Sequence, residues 1–405
     1  MYEGYLSFGG IEIGNRQRTE AYLKANVPEI QWDKETAGLN VALGHAAYVS
    51  PAADGAPWYR ASRPATGRFY GLWIHKITGI EDSTRTVTGT ELLGDGGIST
   101  QARHASREIR VVATMFAADA EAMEEGKTWL NEALAQDACG PSMGLGCTGH
   151  QVSVYTAQPT TIAEANARRR TYYKTVTIDG PSYKKDLGHK KVLGWKVDIT
   201  IRANRPWAFT NATILYTSDV TAGSSFTDPA GENCSAMDDP YLDFIDDPFY
   251  TAIQKPPRPA TILPPNILKI SSWRRRTFAL TAASQDRWGR TVPSLRVTTA
   301  AGVAKQLRIR FYQGTTTTAG CGYDGEFLIS YIPANSVMFI DGVKREIYVT
   351  LPDGRRVAGG HLLYGSDGRP FSWPSMGCQQ AYTMTADIMP GQTGVTVQLE
   401  TSTRE

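Results

Sequence analysis

Between Cys139 and His150 the chain holds most of the residue types from which chemistry could be built. Gly140-Pro141-Ser142-Met143-Gly144 fits the G-x-S-x-G frame of a nucleophile elbow, which works only when serine sits on a sharp strand-to-helix turn beside an oxyanion hole. Gly144-Leu145-Gly146-Cys147-Thr148-Gly149 fits G-x-G-x-x-G, which binds a dinucleotide when a strand precedes it and a helix N-terminus receives the pyrophosphate. In both cases the order here is reversed, with a helical pattern before and a strand pattern after. A glycine-rich helix-to-strand loop is therefore expected. Cys139, Cys147 and His150 could ligate zinc, but they form no C-x-x-C pair and lack a fourth ligand. The other histidines, His45, His75, His104, His189 and His361, fall in no metal-binding spacing. Asp238-Asp239 and Asp246-Asp247 are paired carboxylates, yet a glycosidase needs two carboxyls facing a cleft from separate positions. They also lack the oxygen-rich spacing of a calcium loop. No catalytic residue, cofactor or metal is expected.

Residues suited to contacts are more numerous. Arg168, Arg169 and Arg170, Lys184-Lys185, Lys190-Lys191 and Arg274–Arg276 form short basic runs in a chain whose net charge is only +2. That balance argues against sequence-specific nucleic acid or an anionic membrane as partner, and favours ion pairs between subunits. Trp129 and Leu130, with Arg168, Arg169 and Arg170, are the candidate subunit interface. Trp273, Trp288 and Trp373, with Tyr312, Tyr331 and Tyr364, could stack a host-surface glycan if they are exposed; a core role is the alternative.

The elements that must position these residues are mostly strands. At 405 residues the chain exceeds one ordinary core, so two domains or more are expected. Hydrophobic residues at 41% and charged residues at 20% mark a globular chain, and 39 Gly, 22 Pro and 19 Tyr favour turns and strands. Five cysteines, an odd number, suit reduced thiols in a cytoplasmically made protein; a local Cys139–Cys147 bridge is the alternative. Met1-Tyr2-Glu3-Gly4 has neither a basic nor an apolar stretch, so no secretion signal is expected, and no apolar run is long enough to span a bilayer.

Period-two alternation predicts strands at Leu193–Ile201 and Glu108–Phe116, with further strands at Phe69–Ile80, Gln151–Thr156 and Thr171–Ile178. One helix is predicted at about Ala120–Gln136, with Asp119 as N-cap and Ala122, Met123, Gly126, Trp129, Leu130, Ala133 and Leu134 on one side. Periodicity fades over 211–266, where Lys255-Pro256-Pro257-Arg258-Pro259 favours stiff extended chain, with one short element near Tyr241–Tyr250. Beyond it, Leu307, Ile309 and Phe311 alternate with Arg308, Arg310 and Tyr312. Phe327–Ile332 and the Val395, Val397, Leu399 alternation follow the same reading. Asp341-Gly342 predicts a type I′ hairpin, and Asp353-Gly354 and Asp367-Gly368 two more turns. The fold class expected is mainly β with one amphipathic helix. An N-terminal β domain spans 1–210, a Pro-rich linker 211–266 and a C-terminal β-sandwich 267–405.

Several stretches together resemble the distal tail, or minor tail, proteins of long-tailed siphophages infecting actinobacteria. They are Ala56-Pro57-Trp58-Tyr59 followed by Gly67-Arg68-Phe69-Tyr70-Gly71-Leu72-Trp73-Ile74; Arg107–Thr114 leading into the helix with Trp129-Leu130; Val197–Trp207; and the Pro-rich joint followed by Ile340-Asp341-Gly342 and Gly365–Met376. The resemblance is one of layout and covers nearly the whole chain. It implies a homo-oligomeric ring of six copies formed by the N-terminal domain, with a galectin-like or jelly-roll sandwich facing outward. It implies tail tube, tape measure and tail hub or baseplate proteins as partners, and a place at the virion tail tip after assembly in the host cytoplasm. It brings no catalytic residues. The Cys139–Cys147 loop and the long linker depart from it. A carbohydrate-binding adhesin is the alternative reading, and a hydrolase built on Ser142 a third.

Overall fold

Strands whose two faces differ in polarity must bury one of them, and the first half of the chain does so around a helix. A computed structural model describes residues 1–28, 37–81, 85–91, 97–100, 103–135, 150–189, 191–227, 272–281, 289–314, 323–365, 373–374, 376–377 and 380–405. The chain divides into two compact units, one of Met1–Gly140 with Gly146–Asn211, the other taking in Ala212–Glu405.

In the first unit the elements are β1 (Tyr2–Phe8), β2 (Ile11–Asn15), α1 (Arg16–Asn26), α2 (Leu39–Ala42), β3 (Phe69–Thr78), β4 (Arg85–Thr86), β5 (Gly89–Glu91), β6 (Gly97–Ser99), β7 (Arg103–His104), β8 (Arg107–Ala117), α3 (Ala120–Ala135), β9 (His150–Tyr155), α4 (Ile162–Arg168), β10 (Arg169–His189), β11 (Val192–Ala203) and β12 (Ala208–Phe209). An antiparallel sheet runs in the order β2-β1-β9-β10-β11-β8-β3. Ile109, Val111, Ala113 and Met115 of β8 and Val197, Ile199 and Ile201 of β11 supply the core from facing registers, as the alternation requires. The helix α3 buries Ala122, Met123, Gly126, Trp129, Leu130, Ala133 and Leu134, the side anticipated from helical spacing, and Asp119 Oδ1 caps it by accepting the Ala122 N–H at 2.9 Å. Trp58 meets Phe69 and Trp129 edge-on, with centroids 5.3 and 5.4 Å apart.

Helix α1 was not anticipated. Its buried residues are Arg16, Arg18, Thr19, Glu20, Tyr22 and Leu23, so no apolar stripe marks it. Asn15 caps it, accepting the Arg18 N–H at 3.1 Å. The polar side chains close the edge of β3: Arg16 Nε donates to the Ile74 carbonyl at 2.6 Å and Thr19 Oγ1 to that of Leu72 at 3.1 Å.

The second unit contains β13 (Thr213–Asp219), β14 (Ser224–Thr227), β15 (Ser272–Leu280), β16 (Arg290–Thr299), β17 (Ala304–Gln313), β18 (Tyr323–Ile332), β19 (Val337–Asp341), β20 (Glu346–Thr350), β21 (Arg356–Ala358), β22 (Leu363–Tyr364), β23 (Tyr382–Ile388) and β24 (Val395–Arg404). One antiparallel sheet runs β13-β24-β16-β19-β20-β21 and another β14-β15-β23-β17-β18-β22. Leu295, Val297, Val395, Val397 and Leu399 of the first share one core with Leu307, Ile309, Phe311, Met384 and Ala386 of the second. Two sheets over a common core make a β-sandwich.

Two local expectations change. Residues 213–219 and 224–227, read as linker, are strands: β13 pairs with β24 over Thr213–Asp219, and pairing fixes a segment that has no periodicity of its own. The remainder of that stretch, including Tyr241–Tyr250, lies outside the described residues. The Asp341-Gly342 hairpin forms, but Asp341 pairs with Glu346, so the turn is longer than type I′ and its positive φ falls on Arg345. Gly342 serves close approach, because a Cβ there would lie 2.1 Å from the Pro293 carbonyl oxygen. Asp353-Gly354 turns β20 into β21 with Gly354 at φ +82°, while Asp367-Gly368 lies outside the described residues.

Candidate functional site

In the first unit the face of β1 opposite the core is also covered, and polar residues meet there in register. Ser7 lies opposite Glu12 of β2 and Ser153 of β9, and Ser153 lies opposite Thr171 of β10. All four are buried. Strands stand about 4.8 Å apart, so this polar row crosses four strands. Ser153 Oγ and Thr171 Oγ1 share a hydrogen bond of 3.0 Å, and Arg169 Nη2 donates to Ser153 Oγ at 3.1 Å. Ser7 and Glu12 of this row line a cavity of about 900 Å³, with Tyr5, Arg18, Tyr48, Asp54 and Arg169 among its other walls.

One side of the cavity is a buried charge pair. Arg18 Nε meets Glu12 Oε1 at 2.8 Å, and Asn15 Nδ2 donates to Glu12 Oε2 and to Tyr48 Oη, each at 3.0 Å. The Arg18 guanidinium lies over the Tyr48 ring at 4.4 Å. Burial works against that charge, but Glu12 and the phenols of Tyr22 and Tyr48 outweigh it, and Arg18 is held above its ordinary value. Tyr22 Oη donates to Asp54 Oδ2 at 2.8 Å, which also accepts the Val49 N–H at 2.8 Å. These bonds pin the segment around Tyr48–Asp54 to α1. Burial first, and the nearby Glu12 second, push Tyr48 up to about 12, so it is a neutral phenol at pH 7.

Chemically, the cluster fixes geometry. Glu12 is charge-matched by Arg18 and hydrogen-bonded by Asn15, which suits a clasp and not a base awaiting a proton. Among the described residues no group of three His, Cys, Asp or Glu could hold a metal ion.

The residues singled out from sequence fall elsewhere, with two exceptions, Trp129 and Arg169. Trp129 and Leu130, expected at a subunit interface, are core residues of α3: Leu130 has no exposed surface and Trp129 only 9%, because helical spacing turns both toward Phe69 and Trp58. Arg168 pairs with Glu164 at 2.9 Å and donates to the Gln158 carbonyl. Arg170 donates to the Ala167 carbonyl at 2.8 Å. Arg169 lines the cavity, as does Trp129. Trp273, expected to stack a glycan, is 3% exposed and lies under the Arg308 guanidinium at 4.3 Å, so it offers no free ring face. Trp373 is partly buried against the sandwich core, and Trp288 lies outside the described residues. Tyr312 is buried, whereas Tyr331 and Tyr364 are exposed. Of the basic run Arg274–Arg276, Arg274 and Arg276 donate to the Thr221 and Asp219 carbonyls and Arg275 is buried. Ser142, the five cysteines, Asp238-Asp239 and Asp246-Asp247 lie outside the described residues. His150 packs against Phe8, with ring centroids 4.7 Å apart.

No protein-family model matches the chain, and no curated protein does. Several solved structures show similarity of trace, three of them from phage tails and baseplates. The SPP1 Dit protein, described as a paradigm of the hub adsorption apparatus in phages infecting Gram-positive hosts, is 13% identical over 83% of this chain and 94% of its own, with a TM-score of 0.41. A chain of the phage P2 baseplate in its activated conformation with Ca is 8% identical over 82% of this chain and 90% of its own, and one from the same baseplate with Sr is 7% identical over the same shares; both have a TM-score of 0.41. Scores of this size fall short of a common fold.

Proposed function

We propose that this chain is a structural, non-catalytic subunit of a siphophage tail tip, a distal or minor tail protein. Six copies close into a ring through the first unit, and tail tube, tape measure and hub or baseplate proteins dock on it. The second unit is then the outer, galectin-like or jelly-roll module. The layout resemblance in the sequence supports the assembly. One structural observation supports the contact. From Val176 onward β10 pairs only with β11 among the described residues, and Val176 and Ile178 on it are 38% and 40% exposed. A long strand with one edge open presents unpaired backbone groups and apolar side chains to a neighbour. A head-to-tail contact that closes by rotation yields a ring. The adhesin reading draws less support, since Trp273 and Tyr312 are buried. Sedimentation of the full chain tests the proposal. The wild type should sediment as an oligomer, and replacing Val176 and Ile178 with Lys should give monomers that melt at the same temperature. A wild type that stays monomeric at micromolar concentration would refute it.

A further inference from the structure

The cavity of the first unit contains a cation whose counter-charge is missing. Three carboxylates line it. Glu12 is taken by Arg18 and Asn15, Asp54 accepts Tyr22 Oη and the Val49 N–H, and Glu132 is exposed. Of the three arginines in the lining, Arg18 is matched by Glu12 and Arg60 is exposed. Arg169 is partly buried, and its hydrogen bond is to a neutral hydroxyl, Ser153 Oγ at 3.1 Å. Its Nε is buried and has no hydrogen-bond partner among the described residues. An arginine in this state leaves its Nε–H without an acceptor, which costs stability unless a ligand supplies one. Neutral hydroxyls surround it. Tyr155 is its direct cross-strand neighbour, Tyr5 packs against Tyr155 with the rings tilted and centroids 5.1 Å apart, and Ser7 and Thr171 stand in the adjoining row. Burial pushes the Tyr5 phenol well above its ordinary value, so it keeps its proton and can donate.

We infer that this cavity is a binding site for an oxyanion, a carboxylate or phosphate group, held by the guanidinium of Arg169 with the hydroxyl of Tyr5 as a further donor. Arginine suits the role because its planar fork engages two oxygens of such a group at once. The cavity is far larger than one anion, so the group is carried by a larger molecule. That carrier is either a free small molecule or an acidic side chain of a second copy of the chain. The inference stands apart from the assembly proposed above, since neither the β10 edge nor ring closure enters it.

Calorimetric titration of the full chain with inorganic phosphate and with acetate tests it, alongside Arg169→Met and Arg169→Lys. The wild type should bind at least one of the two saturably. Arg169→Met should weaken binding about tenfold or more, the loss of a charged hydrogen bond, and Arg169→Lys should fall between. If the oxyanion comes from a second copy, phosphate should also dissociate oligomers and Arg169→Met should lower their stability by a similar factor. Binding of equal strength in Arg169→Met would overturn the inference. So would a wild type that binds neither anion at millimolar concentration and whose sedimentation Arg169→Lys leaves unchanged. Arg169→Lys keeps the charge and the aliphatic stem, so it serves if Arg169→Met fails to fold.

Discussion

Asp387 on β23 stands directly opposite Arg275 on β15, and its two carboxylate oxygens take Arg275 Nε and Nη2 at 2.6 and 2.8 Å. On the other side Arg308 of β17, also in register with Asp387, donates Nε and Nη2 to Oδ2 at 3.1 and 2.9 Å. Asp387 has no exposed surface, so the carboxylate is a buried staple across three strands. Removing one member of such a cluster strands the others. Asp387→Ala should lower the stability of the sandwich by about 3–5 kcal/mol, read as a shift in its urea unfolding midpoint. An unchanged midpoint would mean the cluster adds nothing.

Glu12→Gln should act in the same way on the first unit, because it leaves the buried Arg18 charge without its counter-ion. The loss expected is about 3–5 kcal/mol, and the double replacement Glu12→Gln with Arg18→Met should recover part of it. Additive losses in the double variant would contradict the pairing.

These two clusters explain why the architecture was partly legible in the sequence and the site was not. Alternation states which residues share a face; it does not state whether the polar face meets water. In β8 and α3 the apolar side chains lie where spacing put them. In β1 and β9 the residues between Leu6 and Phe8 and between Val152 and Val154, Ser7 and Ser153, read as solvent-facing and are buried. Arg308 and Arg310 of β17 repeat the pattern, the latter paired with Glu326 at 2.7 Å. Helix α1 escaped notice for the same reason, since Arg16, Arg18, Thr19 and Glu20 are inside. The cavity residues Glu12, Arg18, Tyr48 and Asp54 are scattered over the chain with no motif spacing. Of the lining residues, Trp129 and Arg169 stand out in the sequence, both for a subunit interface.

At Gly126, α3 packs directly on Phe69 of β3. An added Cβ would lie 2.4 Å from Phe69 Cε2. In an open helix Gly→Ala gains about 1 kcal/mol, so propensity alone favours the change. Here Gly126→Ala should instead destabilise by about 1–3 kcal/mol, since the core must shift. Thermal melting of Gly126→Ala, and of Gly126→Ala with Phe69→Leu, checks this. A raised melting temperature in the single variant would show that the contact yields freely.

High pH should destabilise the first unit through its buried phenols. Tyr48 and Tyr2, each raised chiefly by burial, hold their protons to about 12 when folded, against 10.0 for an ordinary tyrosine. Between those values the unfolded chain has lost protons that the folded one keeps, so stability falls as pH rises. Stability from this source is fully present below about pH 10 and declines steadily toward about pH 12. Urea midpoints followed with tyrosinate absorbance should show that decline, and Tyr48→Phe should make it shallower. A flat midpoint across the window would contradict the burial of these phenols.

Negative-stain electron microscopy of the purified full chain tests the central reading, that this molecule is built to join copies of itself at a phage tail tip. Closed six-fold rings with a central opening are the outcome expected. A field of solitary compact particles at every concentration would contradict it.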